Sequence, residues 1–297
     1  MAIKKVSIIG LGTLGSQIAI QAACYGYEVK GYDLDPEIFR KMIQKVKGTM
    51  KSLGQGPTVP MDQWEEAASK VQVVQDLAKT VKDAALVIEA VPENLELKRK
   101  VWAQLDSLAP EGTILATNSS SIPVSRIESA TRRPEKCVNI HFYHIATGTN
   151  VVDVMGGSNT SPETIESAKQ FVRSIGCIPL SVKKEILGFC FNSIWRAIKK
   201  QALYMWGNGF VDFRDIDRAW MVIYKQSQGP FGIMDMIGLD VVYDIEMSYY
   251  GESKDPRDVP PKALKEMIDR KDLGVKTGKG FYTYPSPEYG EPDFLKA

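Results

Sequence analysis

Histidine occurs twice in the 297 residues, and both copies fall in one stretch, Asn139-Ile-His141-Phe-Tyr-His144-Ile. An imidazole gains and loses a proton near neutral pH, so a histidine at a ligand crevice suits proton transfer to or from an oxygen. Such a base also needs its second ring nitrogen held. Asp153, twelve residues further on in Val-Val-Asp-Val-Met, suits that task if the two segments form adjacent strands. Plainer readings compete. A strand histidine is commonly a satisfied structural residue. His-x-x-His also suggests a metal, but residues i and i+3 of a strand point to opposite faces and a third ligand is lacking, so no metal is expected.

A second pattern is Gly10-Leu-Gly12-Thr13-Leu14-Gly15, preceded by the apolar run Val6–Ile9 and followed by the amphipathic stretch Ser16–Tyr25. In a strand–turn–helix context this spacing indicates a dinucleotide site. Gly10 permits the tight turn, Gly12 lets the loop backbone with Thr13 and Leu14 approach a pyrophosphate, and Gly15 lets helix and strand pack closely. The helix N-terminus supplies unpaired N–H donors to the phosphates. The next strand ends at Asp33, eighteen residues past Gly15. A carboxylate there accepts from ribose hydroxyls and repels a 2′-phosphate, which favours NAD over NADP. Asp35 reads as a helix N-cap and Pro36 as the first helical residue, leaving Asp33 free for the ribose. Gly274–Gly280 (GVKTGKG) is not a P-loop, because its glycine spacing is one short and Gly280 stands where Ser or Thr is required. Asn118-Ser-Ser matches a glycosylation sequon that a cytosolic chain would not use.

The elements that must position these groups alternate over residues 1–186. Strands are expected at Val6–Ile9, Glu28–Tyr32, Leu86–Glu89, Thr113–Ala116, Val138–Phe142, Val151–Val154 and Ile178–Val182, with helices between them such as Leu97–Leu108 and Pro162–Ile175. Alternation of this kind implies an α/β fold, a doubly wound parallel sheet with helices on both faces. Residues 43–72 are polar, helical in pattern and broken at Gly54–Pro60, which predicts an insertion projecting from the sheet. From residue 187 to 297 the periodicity is helical, with Ile194, Ala197, Ile198, Ala202 and Met205 along one face, so a second, all-α domain is expected.

Composition sets the outer bounds. Charged residues make up 25% and the net charge is +1, which points to neither nucleic acid nor a membrane surface as partner. Four scattered cysteines without a Cys-x-x-Cys pair argue for a reducing, cytoplasmic setting. No run reaches the roughly 18 apolar residues of a membrane span.

Taken in order, GLGTLG, VIEAVPENLELK, ATNSSSIPVS, HFYH, LGFCFN, GPFGIMDMIGLD and GVKTGKGFYTY resemble the landmarks of the L-3-hydroxyacyl-CoA dehydrogenase family over nearly the whole chain. The resemblance implies a Rossmann-type domain, then an all-α C-terminal dimerisation domain, NAD as cofactor, and oxidation of (S)-3-hydroxyacyl-CoA to 3-oxoacyl-CoA by a homodimer. It implies that His141 is the general acid/base and that Asp153 stands where the family has an orienting glutamate. Ser120 and Asn192 would hold the substrate oxygen. Ala90, Glu93, Asn94 and Lys98 would line the nicotinamide side, Asn118 would touch the cofactor, and residues 43–72 would flank coenzyme A. Lys45, Lys47 and Lys51 would meet its phosphates there, or else form a solvated helix face.

Three departures stand out. Asp153 is one methylene shorter than glutamate. The family's HFFNP reads HFYHI here, so His144 replaces an asparagine near the nicotinamide and Ile145 a proline. PGFIVNR reads LGFCFNS, followed by Ile194 and Trp195. The bulk of Tyr143, His144 and Trp195 suggests an altered acyl pocket, although Trp195, Trp206 and Trp220 also suit helix packing and dimer contact. Two alternatives therefore stand beside the thioester. One is a dehydrogenase of a free hydroxy acid, as relatives such as lambda-crystallin-like gulonate dehydrogenases and a pyridoxine-pathway dehydrogenase imply. The other is a non-catalytic NAD-binding protein of the crystallin type, which would have no reason to fill all four roles at Ser120, His141, Asp153 and Asn192.

Overall fold

The computed structural model describes residues 3–296, and the chain divides between Cys190 and Phe191 into two compact units. The first contains β1 (Lys5–Ile9), α1 (Thr13–Cys24), β2 (Glu28–Tyr32), α2 (Ile38–Leu53), α3 (Met61–Lys70), β3 (Gln72–Val73), α4 (Leu77–Val81) and β4 (Leu86–Glu89). It continues with α5 (Leu95–Leu108), β5 (Ile114–Thr117), β6 (Cys137–Phe142), β7 (Val151–Gly156), α6 (Pro162–Ser174) and β8 (Ile178–Val182). The strands form one sheet in the order β3-β2-β1-β4-β5-β6-β7-β8.

Strand residues alternate between two cores, as a pleat with period two requires. Ile8, Ile88, Ala116 and Ile140 join one cluster with Ile18 and Ala22 of α1, Trp64 of α3 and Phe171 of α6. Their neighbours Ile9, Val87 and Leu115 join the opposite cluster with Val81, Trp102 and Leu105 of α4 and α5. Burial on both faces accounts for the apolar runs that a singly covered strand would not show. Helix ends follow local chemistry. Asn94 caps α5 by accepting from the Leu97 N–H at 2.9 Å, and Ser161 caps α6 ahead of Pro162.

Four expectations need correction. The sheet is not wholly parallel, because β6 and β7 run antiparallel. Only Tyr143–Asn150 joins them, too short for the crossover of a dozen or more residues that a parallel pair needs. The segment 43–72 does not project as an insertion. Val46 and Met50 of α2 and Trp64, Ala67 and Ala68 of α3 are buried in the first core, α3 packs on α1, and the segment ends in the unforeseen edge strand β3. Asp35 is not the cap of α2, which begins at Ile38; its carboxylate accepts from the Glu37 N–H at 2.9 Å in the preceding turn. The fourth concerns the second unit.

That unit contains α7 (Phe191–Gly207), α8 (Phe213–Tyr224), α9 (Pro230–Ile237), α10 (Leu239–Ser253) and α11 (Lys262–Asp269). Phe231, Met234, Leu239, Val242, Leu264 and Tyr282 form its core, and Trp195 and Trp206 pack against it. The stripe expected on α7 is fully buried only at Ala202. Ile194 and Ala197 are exposed, whereas Lys199, Ala202 and Leu203 are buried. Lys199 is tolerated there because its ammonium meets Glu246 at 2.9 Å, which a hydrophobicity pattern cannot foresee. Two buried carboxylates organise the rest. Asp217 accepts from the Phe231 and Gly232 N–H groups at 2.8 and 2.9 Å, tying α8 to the start of α9. Asp235 accepts from the Phe281 and Tyr282 N–H groups at 3.0 and 2.9 Å. Gly280 is required because a Cβ there would lie 2.1 Å from the Asp235 carboxylate. The GVKTGKG segment thus closes a fold around Asp235.

Candidate active site

The strand order reverses between β1 and β4, and loops leaving the C-terminal ends of these strands diverge there, as at ligand crevices of doubly wound sheets. Gly10 has φ +93°, and a Cβ on it would sit 2.7 Å from the Ala90 carbonyl oxygen. A Cβ on Gly15 would sit 1.8 Å from the Gly10 carbonyl, so the start of α1 lies against the turn. Gly12 differs. Its added Cβ would meet no protein atom within 4 Å, and as the N-cap of α1 it leaves the first-turn N–H groups of Thr13 and Leu14 without a capping side chain. An open cradle with unpaired donors at a helix N-terminus suits a pyrophosphate.

Asp33, at the end of β2, is not free as expected. Its Oδ2 accepts from the Leu11 N–H at 2.8 Å and its Oδ1 from the Asp35 N–H at 3.1 Å. Each oxygen retains a second acceptor direction, so Asp33 can brace the glycine turn and still take a ribose hydroxyl.

A charge chain, buried at Glu89 and Lys98, supports the next loops. Glu89 ends β4 fully buried and accepts from Lys98 Nζ at 2.7 Å, the Val91 N–H at 2.8 Å, Thr117 Oγ1 at 2.9 Å and Trp102 Nε1 at 3.3 Å. Lys98 is only 1% exposed. Its ammonium also lies 3.3 Å from Glu93. Desolvation opposes ionisation of Glu93, but the Lys98 charge and the Ser119 and Ser121 hydrogen bonds outweigh it and hold its carboxyl below the usual range. Glu93 accepts from Ser119 Oγ, from Ser121 Oγ at 2.8 Å and from the Ser121 N–H at 2.9 Å. Within the segment expected to line the nicotinamide side, Lys98 is sealed between carboxylates and Asn94 caps α5.

Glu93 thereby fixes the loop that presents Ser120. Asn118, also buried, accepts from the Phe142 N–H at 2.8 Å and ties the ends of β5 and β6 together. On that tie Ser120 Oγ lies 3.1 Å from His141 Nε2. His141 and Asp153 are direct cross-strand partners, and His141 Nδ1 lies 3.1 Å from Asp153 Oδ2. Asp153 is fully buried and also accepts from Tyr143 Oη at 2.8 Å and from the Cys190 N–H at 3.3 Å. Facing an acceptor, Nδ1 carries the ring proton, which leaves the Nε2 lone pair towards Ser120. The Phe189 ring stacks on the imidazole with centroids 4.7 Å apart and planes 8° from parallel. Phe189 adopts φ +53°, a left-handed conformation that costs a non-glycine residue energy and tends to occur where a site demands it.

Sequence reasoning thus placed Ser120, His141 and Asp153, which the fold brings together. It missed the Tyr143 hydroxyl as a donor, although Tyr143 follows His141 by two and so shares its face. It also missed Glu89, Phe189 and the Cys190 amide; nothing in their residue types announces them. His144, exposed at one side, has its imidazole pulled below the usual histidine range by desolvation. Asn192 lies in the first turn of α7 in the second unit.

Among the described residues no helix is long and apolar enough to cross a membrane. Residues 5–186 match the model of the 3-hydroxyacyl-CoA dehydrogenase NAD-binding domain, and residues 188–284 that of the family's C-terminal domain. A 5-formyl-3-hydroxy-2-methylpyridine 4-carboxylate 5-dehydrogenase of Mesorhizobium japonicum is 31% identical over 96% of this chain and 92% of its own. A 3-hydroxybutyryl-CoA dehydrogenase of Clostridioides difficile is 32% identical over 94% and 99%. A solved diketoreductase, described as acting on dicarbonyl compounds, is 34% identical with a TM-score of 0.84, covering 96% of this chain and all of that one. With a dinucleotide cradle and family models spanning both units, the chain belongs to the 3-hydroxyacyl-CoA dehydrogenase family and is an NAD-dependent oxidoreductase of that type.

Proposed function

We propose that the protein interconverts an (S)-3-hydroxyacyl-CoA and its 3-oxoacyl-CoA. The observation that carries this reading is the continuous Ser120–His141–Asp153 hydrogen-bond chain at the sheet edge that also bears the glycine turn. Bound NAD supplies the hydride acceptor. His141 Nε2 takes the proton of the substrate hydroxyl, and Ser120 Oγ holds that oxygen by hydrogen bonding. Asp153 keeps the imidazole in the correct tautomer and stabilises the imidazolium as it forms, a role that needs a nearby charge and not a long side chain. Asn192, which the family resemblance implied as a second holder of the substrate oxygen, lies in the second unit. Gly10, Gly12, Thr13, Leu14 and Gly15 hold the pyrophosphate, Asp33 the ribose, and Ala90, Glu93, Asn118 and His144 the nicotinamide side, with Lys98 acting through Glu93.

The thioester is supported by the arm of α2 and α3. Lys51 helps line a cleft of about 510 Å³ with Met50 and the Gly54–Met61 segment, and Lys45 is exposed on the same helix. Lys47 is less available, since it pairs with Glu65 at 2.5 Å. A second reading, a free hydroxy acid or other carbonyl compound without coenzyme A, is favoured by His144 and Ile145 in place of the family's Asn-Pro. The names of the Mesorhizobium relative and the diketoreductase point the same way. The helical unit exposes Ile194, Phe210, Ile223, Tyr224 and Val241, which supports a homodimer.

The test follows NADH absorbance with acetoacetyl-CoA and free acetoacetate in parallel. Turnover confined to the thioester is expected. Turnover of the free acid with silence on the thioester would establish the second reading.

A further inference from the structure

Two departures from the family pattern meet in space. Asp153 is one methylene short of the family's glutamate, and Tyr143 carries a hydroxyl that the family's phenylalanine lacks. That hydroxyl donates to Asp153 Oδ2 at 2.8 Å, the oxygen that faces His141 Nδ1 at 3.1 Å. Tyr143 also sets its ring edge against the imidazole, with centroids 4.7 Å apart and planes at 70°. We propose that Tyr143 is a positioning residue matched to Asp153, its hydroxyl holding the shortened carboxylate in line with His141 and moderating its charge. This inference rests on the reading of His141 and Asp153 as the acid/base pair.

A glutamate at 153 would carry its carboxylate about 1.5 Å further from the strand, one C–C bond, into the space the Tyr143 hydroxyl occupies. Phenylalanine at 143 with glutamate at 153 therefore fills much the same volume as tyrosine with aspartate, and volume-conserving exchanges are the ones tightly packed sites tolerate. The electrostatic effect is separate. Asp153 is fully buried and receives three donors, from His141, Tyr143 and the Cys190 amide. A donor shared with the carboxylate weakens its hold on an imidazolium, because the anion is already partly neutralised. Neutral groups flank the pair: Ser120 at His141 Nε2, Leu180 beside Asp153 on β8, and Phe189 against the ring. His144 is the other titratable ring on this segment, and Cys190 presents its amide.

The experiment compares wild type, Tyr143→Phe, Asp153→Glu and the double variant, each with NAD present. Two readouts are taken: the pH profile of kcat/KM for alcohol oxidation, and the ring-carbon NMR titration of the two histidines, with His144→Gln assigning the signals. In Tyr143→Phe the Asp153 charge is less shared, so the imidazolium is favoured. The acid limb of the kcat/KM profile then moves to higher pH. Each single variant is expected to lose roughly tenfold in kcat/KM, while the double variant recovers most of that loss. A Tyr143→Phe curve that overlays wild type, or a double variant whose losses simply multiply, would overturn the proposal. Failure of the acid/base reading is seen separately, as a His141→Gln enzyme that keeps its turnover.

Discussion

His141 and Asp153 face each other across the antiparallel β6–β7 junction, and their side chains meet at 3.1 Å. The pairing register itself sets the distance. Shifting either strand by one residue would turn one of the two side chains to the opposite face, so the site and the register stand or fall together.

His141→Gln is expected to lower kcat by about 10²–10⁴ with NAD affinity nearly unchanged, because glutamine has no titratable group and the glycine turn lies on other strands. Stopped-flow turnover and fluorescence titration with NADH check both halves. Undiminished turnover would remove His141 from the proposed mechanism.

Gly12→Ala and Gly15→Ala should fail differently. The first adds a Cβ that meets no protein atom, so the protein should fold with nearly wild-type thermal stability while NAD binding weakens tenfold or more. The second forces a Cβ to within 1.8 Å of the Gly10 carbonyl and should lower the Tm outright. Thermal melts with and without NAD separate the two; a Gly12→Ala protein that binds NAD as wild type does would displace the pyrophosphate from the cradle.

Lys98→Met leaves Glu89 buried without its ammonium, a loss of about 3–5 kcal/mol. Lys98→Met combined with Glu89→Gln should recover part of it, since the buried charge is gone. Urea denaturation reads the difference. Equal stability of Lys98→Met and wild type would mean that water reaches Glu89.

Burial pushes the Asp217 carboxyl up to about 6, against the amides of Phe231 and Gly232 and the Tyr282 hydroxyl. A carboxyl that holds its proton more tightly when folded adds stability below its unfolded value near 4, and that stability is lost as pH rises through about 6. Between pH 4 and 6.5 wild type should therefore lose about 2 kcal/mol more than Asp217→Asn. Parallel denaturation curves across that range measure it, and parallel pH trends for the two proteins would refute the linkage.

Much of the first unit was legible in the residues. The period-two apolar runs located the main strands, and the glycine spacing located the turn that opens α1. Proximity of His141 and Asp153 followed from two strands separated by a short loop. That same loop length also forces the antiparallel pairing, which alternation of elements alone had hidden. Less legible were groups whose meaning depends on partners distant in sequence. Lys199 looks like a surface residue until Glu246 lies beside it, and Lys98 looks like a ligand until Glu89 closes over its ammonium. Phe189 gives no signal by type; its ring matters because a left-handed backbone turns it onto His141.

The Glu89–Lys98–Glu93 chain has a consequence for ionic conditions. Mobile ions weaken attraction between exposed charges beyond about 10 Å at 0.1 M salt, but they reach buried pairs far less. Of the chain that braces the Ser120 loop, Lys98 is sealed at 1% exposure and Glu89 is wholly enclosed, while Glu93 keeps 38% of its side chain exposed. Raising the salt should therefore weaken capture of charged ligands while the Glu89–Lys98 anchor beneath the loop holds, so inhibition by salt would appear in KM more than in kcat.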